Sequence, residues 1–396
     1  MSGTKDLKNP ELIQIDMKEF EPWIGVPHGG LQMTVPFVQQ DFQRWVTHTD
    51  NYNPLHYDES WAVASRFGQI VAPQSFTGIR AAGDDAIFMS KTHMAGFHVS
   101  DEFFFLGPRI YAGDQLFIDR ALGSARATNT RYGPSVFLNF VNTFATQRGI
   151  IIKKRSTIML HPAANGFALG KGKLETAAPV PPEPEWTDAQ IDELREAKLA
   201  YIRTLRTHEK RLFGSIKVGD KLPRAVYGPH TGLTFLYSDA CCAEDVWGLT
   251  HVPDQPPLLP RNSDFGYDIP TDAETLRLMP LNRARFVMND GRGRHVYDKA
   301  AIKGGLPRSF AVGSVMTIWA TDHLSNWARE WGFLRHLTMR FNSSIWSGDV
   351  TYIETEVTEL SPGPAGYGTV HVTYHLVNQD GLRQCSGTGK IELPLE

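Results

Sequence analysis

Cysteine is scarce in this chain: three in 396 residues, two of them adjacent (Cys241, Cys242). That excludes a small disulfide-framed module. No apolar run approaches the roughly 20 residues that span a bilayer. The opening stretch, Met1 to Pro10, is polar and lacks the apolar core of a signal peptide. Neither sign of charge is in excess. The formal charge of −3 argues against a general nucleic-acid or membrane-surface binder. The 14 histidines show neither HExxH nor Cys/His ligand spacing, so no metal is expected. A nucleotide fingerprint is missing too. The Gly- and Lys-rich stretch from Gly166 to Lys173 places three residues, not four, before Gly170-Lys171, and no Ser or Thr follows. These absences leave a soluble cytoplasmic globular protein as the expectation.

What is present supports a sizeable core. Hydrophobic residues make up 41% and charged residues 21%. Pro and Ala cluster from Thr176 to Pro184, an extended semi-rigid connector. Thr187-Asp188-Ala189-Gln190 then fits a capping box opening a charged helix to about Arg211. Residues 166–212 therefore form a linker and bridging helix between two halves, 1–165 and 213–396.

The halves repeat. Phe103-Phe104-Phe105-Leu106-Gly107-Pro108 leads to Gly113-Asp114, and Met339-Arg340-Phe341 leads likewise to Gly348-Asp349. Alternating segments follow each copy. Val370, Val372, Tyr374 and Leu376 face one way, and His371, Thr373 and His375 the other. Val312, Val315, Met316, Trp319, Leu324, Trp327 and Trp331 lie close to helical spacing. One amphipathic helix against several antiparallel strands is an α+β layer arrangement. Used twice, it predicts two sheets, each wrapped on its own helix. Phe103 to Phe105 is expected in the core, and Lys153, Lys154 and Arg155 on a solvated strand edge.

The sharpest motif is Asn53-Pro54-Leu55-His56-Tyr57-Asp58, followed by Arg66-Phe67-Gly68 and Ile70-Val71-Ala72-Pro73. Asn-Pro forces a turn, which gives the following histidine a defined direction. These residues resemble the MaoC-like (R)-specific enoyl-CoA hydratases and dehydratases. The resemblance covers about residues 20–160 and, more weakly in letters, about 215–393. It implies a double hotdog fold, an acyl-CoA thioester substrate, no cofactor beyond the coenzyme A of that substrate, and a homodimer.

The resemblance also implies site positions: an acid five residues before the histidine, and a glycine about eighteen after it that opens a helix. In the first half the acid position holds Asn51, with Asp50 one residue early, and the glycine position holds Gln74. In the second half Asp290 stands five before His295 and Gly313 eighteen after, although the turn between reads Gly291-Arg292-Gly293-Arg294. Thr321 falls where such enzymes often carry a hydroxyl. The second half is therefore expected to be catalytic, with the first a remnant that helps form the acyl pocket.

The chemistry suits these groups. A carboxylate and an imidazole on one turn can activate a water and return a proton. A backbone N–H at a helix start can stabilise the thioester oxygen as it gains charge. Arg292 and Arg294 could hold coenzyme A phosphates, although a charged exposed turn accounts for them as well. Two other functions remain open at this point. One is an inactive acyl-CoA-binding or partner subunit. The other is a thioesterase using Asp84 or Asp85. An insertion near 232–281, containing Pro256, Pro257, Pro260 and Asn262-Ser263-Asp264-Phe265-Gly266, precedes the proposed pair and could cover it.

Overall fold

Alternation along the chain becomes burial in the folded protein. In the computed structural model Val370, Val372, Tyr374 and Leu376 are buried, while His371, Thr373 and His375 between them are only half-buried. The structure describes residues 15–28, 30–33, 35–76, 95–130, 133–161, 182–235, 249–251, 295, 298–303 and 307–396. In chain order its main elements are β1 (Leu31–Met33), α1 (Gln39–His48), α2 (Glu59–Ala64), β2 (Ala95–Phe105), β3 (Phe117–Thr130), β4 (Gly133–Thr146) and β5 (Gly149–His161). Then come α3 (Asp188–Leu205), β6 (Ala225–Tyr227), β7 (Leu249–His251), α4 (Asp298–Lys303), α5 (Gly313–Ala328), β8 (Phe333–Phe341), β9 (Thr351–Pro362), β10 (Tyr367–Asn378) and β11 (Arg383–Pro394).

The strands form one sheet of eleven rather than the two expected, in the order β6-β9-β10-β11-β8-β2-β5-β4-β3-β1-β7. The reason is the seam. β2 and β8 pair antiparallel from Ser100–Arg340 to Phe104–His336. Each half thus satisfies the backbone edge that the other would expose. Outward from this seam the order is the same on both sides, so the sequence repeat becomes a pseudo-two-fold axis. The extra strand β7 comes from the insertion and pairs with β1 at the edge of the N-terminal half.

The same backbone device closes each half's entry into its long strands. Gly113 and Gly348 have φ of +95° and +85°, a region that suits glycine. The following aspartates turn back to accept from backbone N–H groups, Tyr111 to Asp114 at 2.8 Å and Trp346 to Asp349 at 3.1 Å.

Helix α5 departs from the amphipathic expectation. Val312 is its N-cap and Trp331 lies beyond its end. Between them the polar positions are as buried as the apolar ones: Ser314, Thr317, Thr321, Asp322, His323 and Asn326 join Val315, Met316, Trp319 and Leu324. A helix buried on all sides needs internal partners for its polar groups. Trp319 donates to the Thr49 carbonyl at 3.2 Å, and His323 pairs with Thr355 Oγ1 at 3.1 Å and the Tyr201 hydroxyl at 3.3 Å. The N-terminal half and α3 therefore cover the side of α5 that the sheet leaves open. The Thr187 capping box opens α3 as its sequence requires, and α3 ends at Leu205, short of Arg211. Most of the segment expected to form the first half's own central helix lies outside the described residues.

Candidate active site

In the first half, the clear-lettered motif is wired into the second half. Asp50 accepts from the Tyr52 hydroxyl at 2.9 Å and lies 3.6 Å from Lys198 Nζ. Asn51 Oδ1 accepts from Asn326 Nδ2 of α5 at 3.1 Å, and Asn53 Nδ2 donates to Asn326 Oδ1 at 2.9 Å. Gln74 clamps the Leu334 backbone of β8, donating to its carbonyl and accepting from its N–H, both at 3.0 Å. The Arg66 N–H donates to Glu330 Oε2 at 3.0 Å. Around Gln74 there remains a cavity of about 20 Å³, enough for about one water.

His56 is 2% exposed, and its Nδ1 lies 2.6 Å from the Val71 carbonyl. Burial, and then the nearby Arg109 charge, push its pKa down to about 3, so it stays neutral at ordinary pH. His56 is thus a buried neutral imidazole, and the position eighteen residues after it is held by a Gln74 side chain bonded to β8.

The second half keeps the frame with a glycine in place of the glutamine. His295 Nδ1 lies 2.8 Å from the Phe310 carbonyl, 15 residues on, the same separation that joins His56 to Val71. Its ring packs on Phe310, whose ring meets Trp346. The next N–H, of Ala311, donates to the Ile345 carbonyl at 2.8 Å, as that of Ala72 does to Ile110 at 3.0 Å. The chain then enters α5 at Gly313 with an extended Val312 as N-cap, which offers no side-chain acceptor to the first turn. A methyl group on Gly313 would sit 3.5 Å from the Phe341 ring and 3.7 Å from His98 Nδ1. Ser314 and Thr321, both on α5, are buried, and their hydroxyl oxygens have no hydrogen-bond partner among the described residues.

So His295 holds the Phe310 carbonyl three residues before Gly313, the first residue of α5, and Thr321 lies two turns further along that helix. Asp290, Arg292 and Arg294 lie outside the described residues, as do Asp84 and Asp85. Among the described residues no cluster of His, Cys, Asp and Glu could hold a metal.

One group was hidden from the sequence. His98 Nε2 lies 2.8 Å from Asp101 Oδ1, which also accepts from Ser156 Oγ at 2.8 Å, and Lys154 Nζ stands 3.6 Å from Asp101 Oδ2. Burial alone would raise the Asp101 carboxyl, but the charges of His98 and Lys154 hold it down at about 2. Lys153 and Arg155 are exposed, but Lys154 is 1% exposed, which corrects the expectation for that residue, and β5 is not an edge: it runs inside the sheet, between β2 and β4. Residues three apart on a regular strand face opposite ways. The register of β2 against β5 slips between His98 and Ser100, and that bulge turns His98 to the side of Asp101. Only the paired strand reveals it.

Residues 23–155 match the family model described as FAS1-like, dehydratase domain region. No curated protein matches the chain. Among solved structures, one described as a MaoC-like dehydratase aligns over 95% of this chain and 99% of its own, with TM-score 0.59 and 18% identity. A Mycobacterium tuberculosis protein described as having a double hotdog fold aligns over 93% and 96%, with TM-score 0.50 and 13% identity. At such identities the structural likeness speaks for the fold, and the family match speaks for its N-terminal half. Together they support one conclusion: the chain has a double hotdog fold, and its residues 23–155 match a dehydratase-domain family model.

Proposed function

We propose that this protein is a hydro-lyase that adds or removes water across a trans-2-enoyl/(R)-3-hydroxyacyl thioester of coenzyme A, with its working site in the C-terminal half. The observation that carries this is His295. It is fixed through Nδ1 to the Phe310 carbonyl, three residues before the glycine that opens α5, and this orients the ring. In the hydration direction, Asp290 and His295 take a proton from water as its oxygen bonds the β carbon. The electron pair of the double bond moves toward the thioester oxygen, and the Gly313 N–H stabilises that charge. The α carbon then takes a proton back. Removal of one oxyanion donor typically costs about 3–4 kcal/mol of transition-state stabilisation.

The filled first-half position supports a division of labour in which the N-terminal half contributes walls rather than a second site. The test is hydration of crotonyl-CoA and longer enoyl-CoA thioesters by Asp290→Asn and His295→Ala. Each change is expected to lower kcat/KM by at least about 100-fold with an unaltered circular dichroism spectrum. Unchanged turnover in both variants would overturn the assignment. Release of free thiol would point instead to a thioesterase, and binding of acyl-CoA without turnover to an inactive binding subunit.

A further inference from the structure

The pseudo-two-fold axis sets Gln74 of the first half against Gly313 of the second, since each stands eighteen residues after its histidine. It likewise sets the start of β8 against the start of β2 across the seam. Gln74 reaches the seam strand with two hydrogen bonds to Leu334. At Gly313 there is no side chain to do so, and the nearest polar side-chain atom to the missing Cβ is His98 Nδ1, at 3.7 Å.

His98 is oriented from behind. Nε2 faces Asp101 at 2.8 Å, and the ring lies against Phe341 with centroids 4.7 Å apart. Nδ1 is therefore the ring nitrogen presented toward α5. Asp101 needs no histidine for its own burial, because Lys154 and Ser156 already attend it. The His98 side chain keeps 27% of its surface exposed, so the group is held but reachable. Next to it Ser314 keeps a buried hydroxyl without a hydrogen-bond partner among the described residues.

We propose that His98, held by Asp101, is a second hydrogen-bond donor to the thioester carbonyl oxygen, supplied by the N-terminal half to the site of the C-terminal half, a role that rests on the hydro-lyase function proposed above. With Nε2–H donated to Asp101 and Nδ1–H to the substrate, the imidazolium faces the oxygen as it gains charge. His98 keeps its proton throughout. The proton of the attacking water goes to the Asp290–His295 pair, and the α carbon receives one in return, so the step balances without His98. The Gly313 N–H and the His98 ring then form a two-part oxyanion site, one part from each half.

The experiment uses the full chain. His98→Ala is expected to lower kcat for enoyl-CoA hydration by about 100-fold, with KM changed far less and the thermal midpoint unchanged. His98→Gln, which retains an N–H donor, should recover part of that loss, and free imidazole should partly rescue the alanine variant. A purely structural histidine would give neither the kcat-against-KM split nor the rescue. A second measurement is independent of turnover. In protein labelled with ¹⁵N-histidine, saturating butyryl-CoA should shift the His98 Nδ1 resonance, identified by its loss in His98→Gln. Unchanged kcat in His98→Ala, or no shift with butyryl-CoA, would overturn the role. If wild-type protein hydrates no enoyl-CoA, the function above fails, and the resonance alone decides the role of His98.

Discussion

At the scale of single residues, the two halves differ most at the position eighteen residues after each histidine. Gln74 and Gly313 each stand eighteen residues after the histidine of their half; a side chain fastened to β8 occupies the first position, and none stands at the second. Gly313→Ala should separate fold from chemistry. Its methyl meets neighbours at 3.5–3.7 Å, ordinary contact, so stability should change by less than about 1 kcal/mol. Hydration should fall because the methyl enters the space in front of the N–H. Denaturation midpoint and turnover, measured on the same sample, check this. Much of this contrast is legible in the sequence, because Asn51, Gln74, His295 and Gly313 can be counted off a motif. His98 cannot, because its partnership with Asp101 depends on a strand irregularity.

Buried histidines make a second prediction at this scale. Burial first of all, with Arg109 beside His56 and Lys198 beside His230, depresses both to about 3, and burial depresses His323 to about 4. The unfolded chain takes up these protons near pH 6.5. The stabilisation from keeping them neutral is therefore complete above pH 6.5. It is lost progressively as pH falls toward 4, at about 1.4 kcal/mol per pH unit for each histidine. Urea midpoints at pH 7.5, 5.5 and 4.5 should decline steadily. A flat profile would contradict the buried neutral state.

At the scale of elements, α5 is the axis of the molecule, and its amphipathic spacing understated that. Polar groups on its outer face are paired with the N-terminal half through Asn326 and Trp319, and with α3 through His323. Asn326→Ala removes the partner of both Asn51 and Asn53, and Gln74→Ala orphans the buried N–H and C=O of Leu334. Each orphaned buried group costs about 1–3 kcal/mol. Both variants should lose stability in urea titration while His295 chemistry, assayed well below the midpoint, persists. Proline and alternation signalled these elements. Which face of α5 met what could not be read, because spacing reports only that a face is apolar, not that a second layer covers the polar one.

At the scale of the whole molecule, the seam between β2 and β8 merges two repeats into one sheet. The core follows it. Phe103 and Phe105 of β2, Trp319 of α5 and Leu337 of β8 belong to one buried cluster. The chain should therefore unfold in a single cooperative transition by calorimetry. Residues 182–396 expressed alone should fail to fold stably, since Asn326 and Trp319 would lose their partners. Two separate transitions would show the halves to be independent.

By itself the sequence determined the family resemblance, the repeat, and which copy of the motif keeps the acid, histidine and glycine at the motif spacing. Those facts are local, fixed by residue type and by spacing within about twenty positions. Tertiary structure decided the rest: one sheet instead of two, a central helix buried on all sides, a clear motif turned into a fastening, and His98 brought to Gly313 by a bulge. These depend on contacts between residues far apart in the sequence, and the register that creates them exists only once strands have paired.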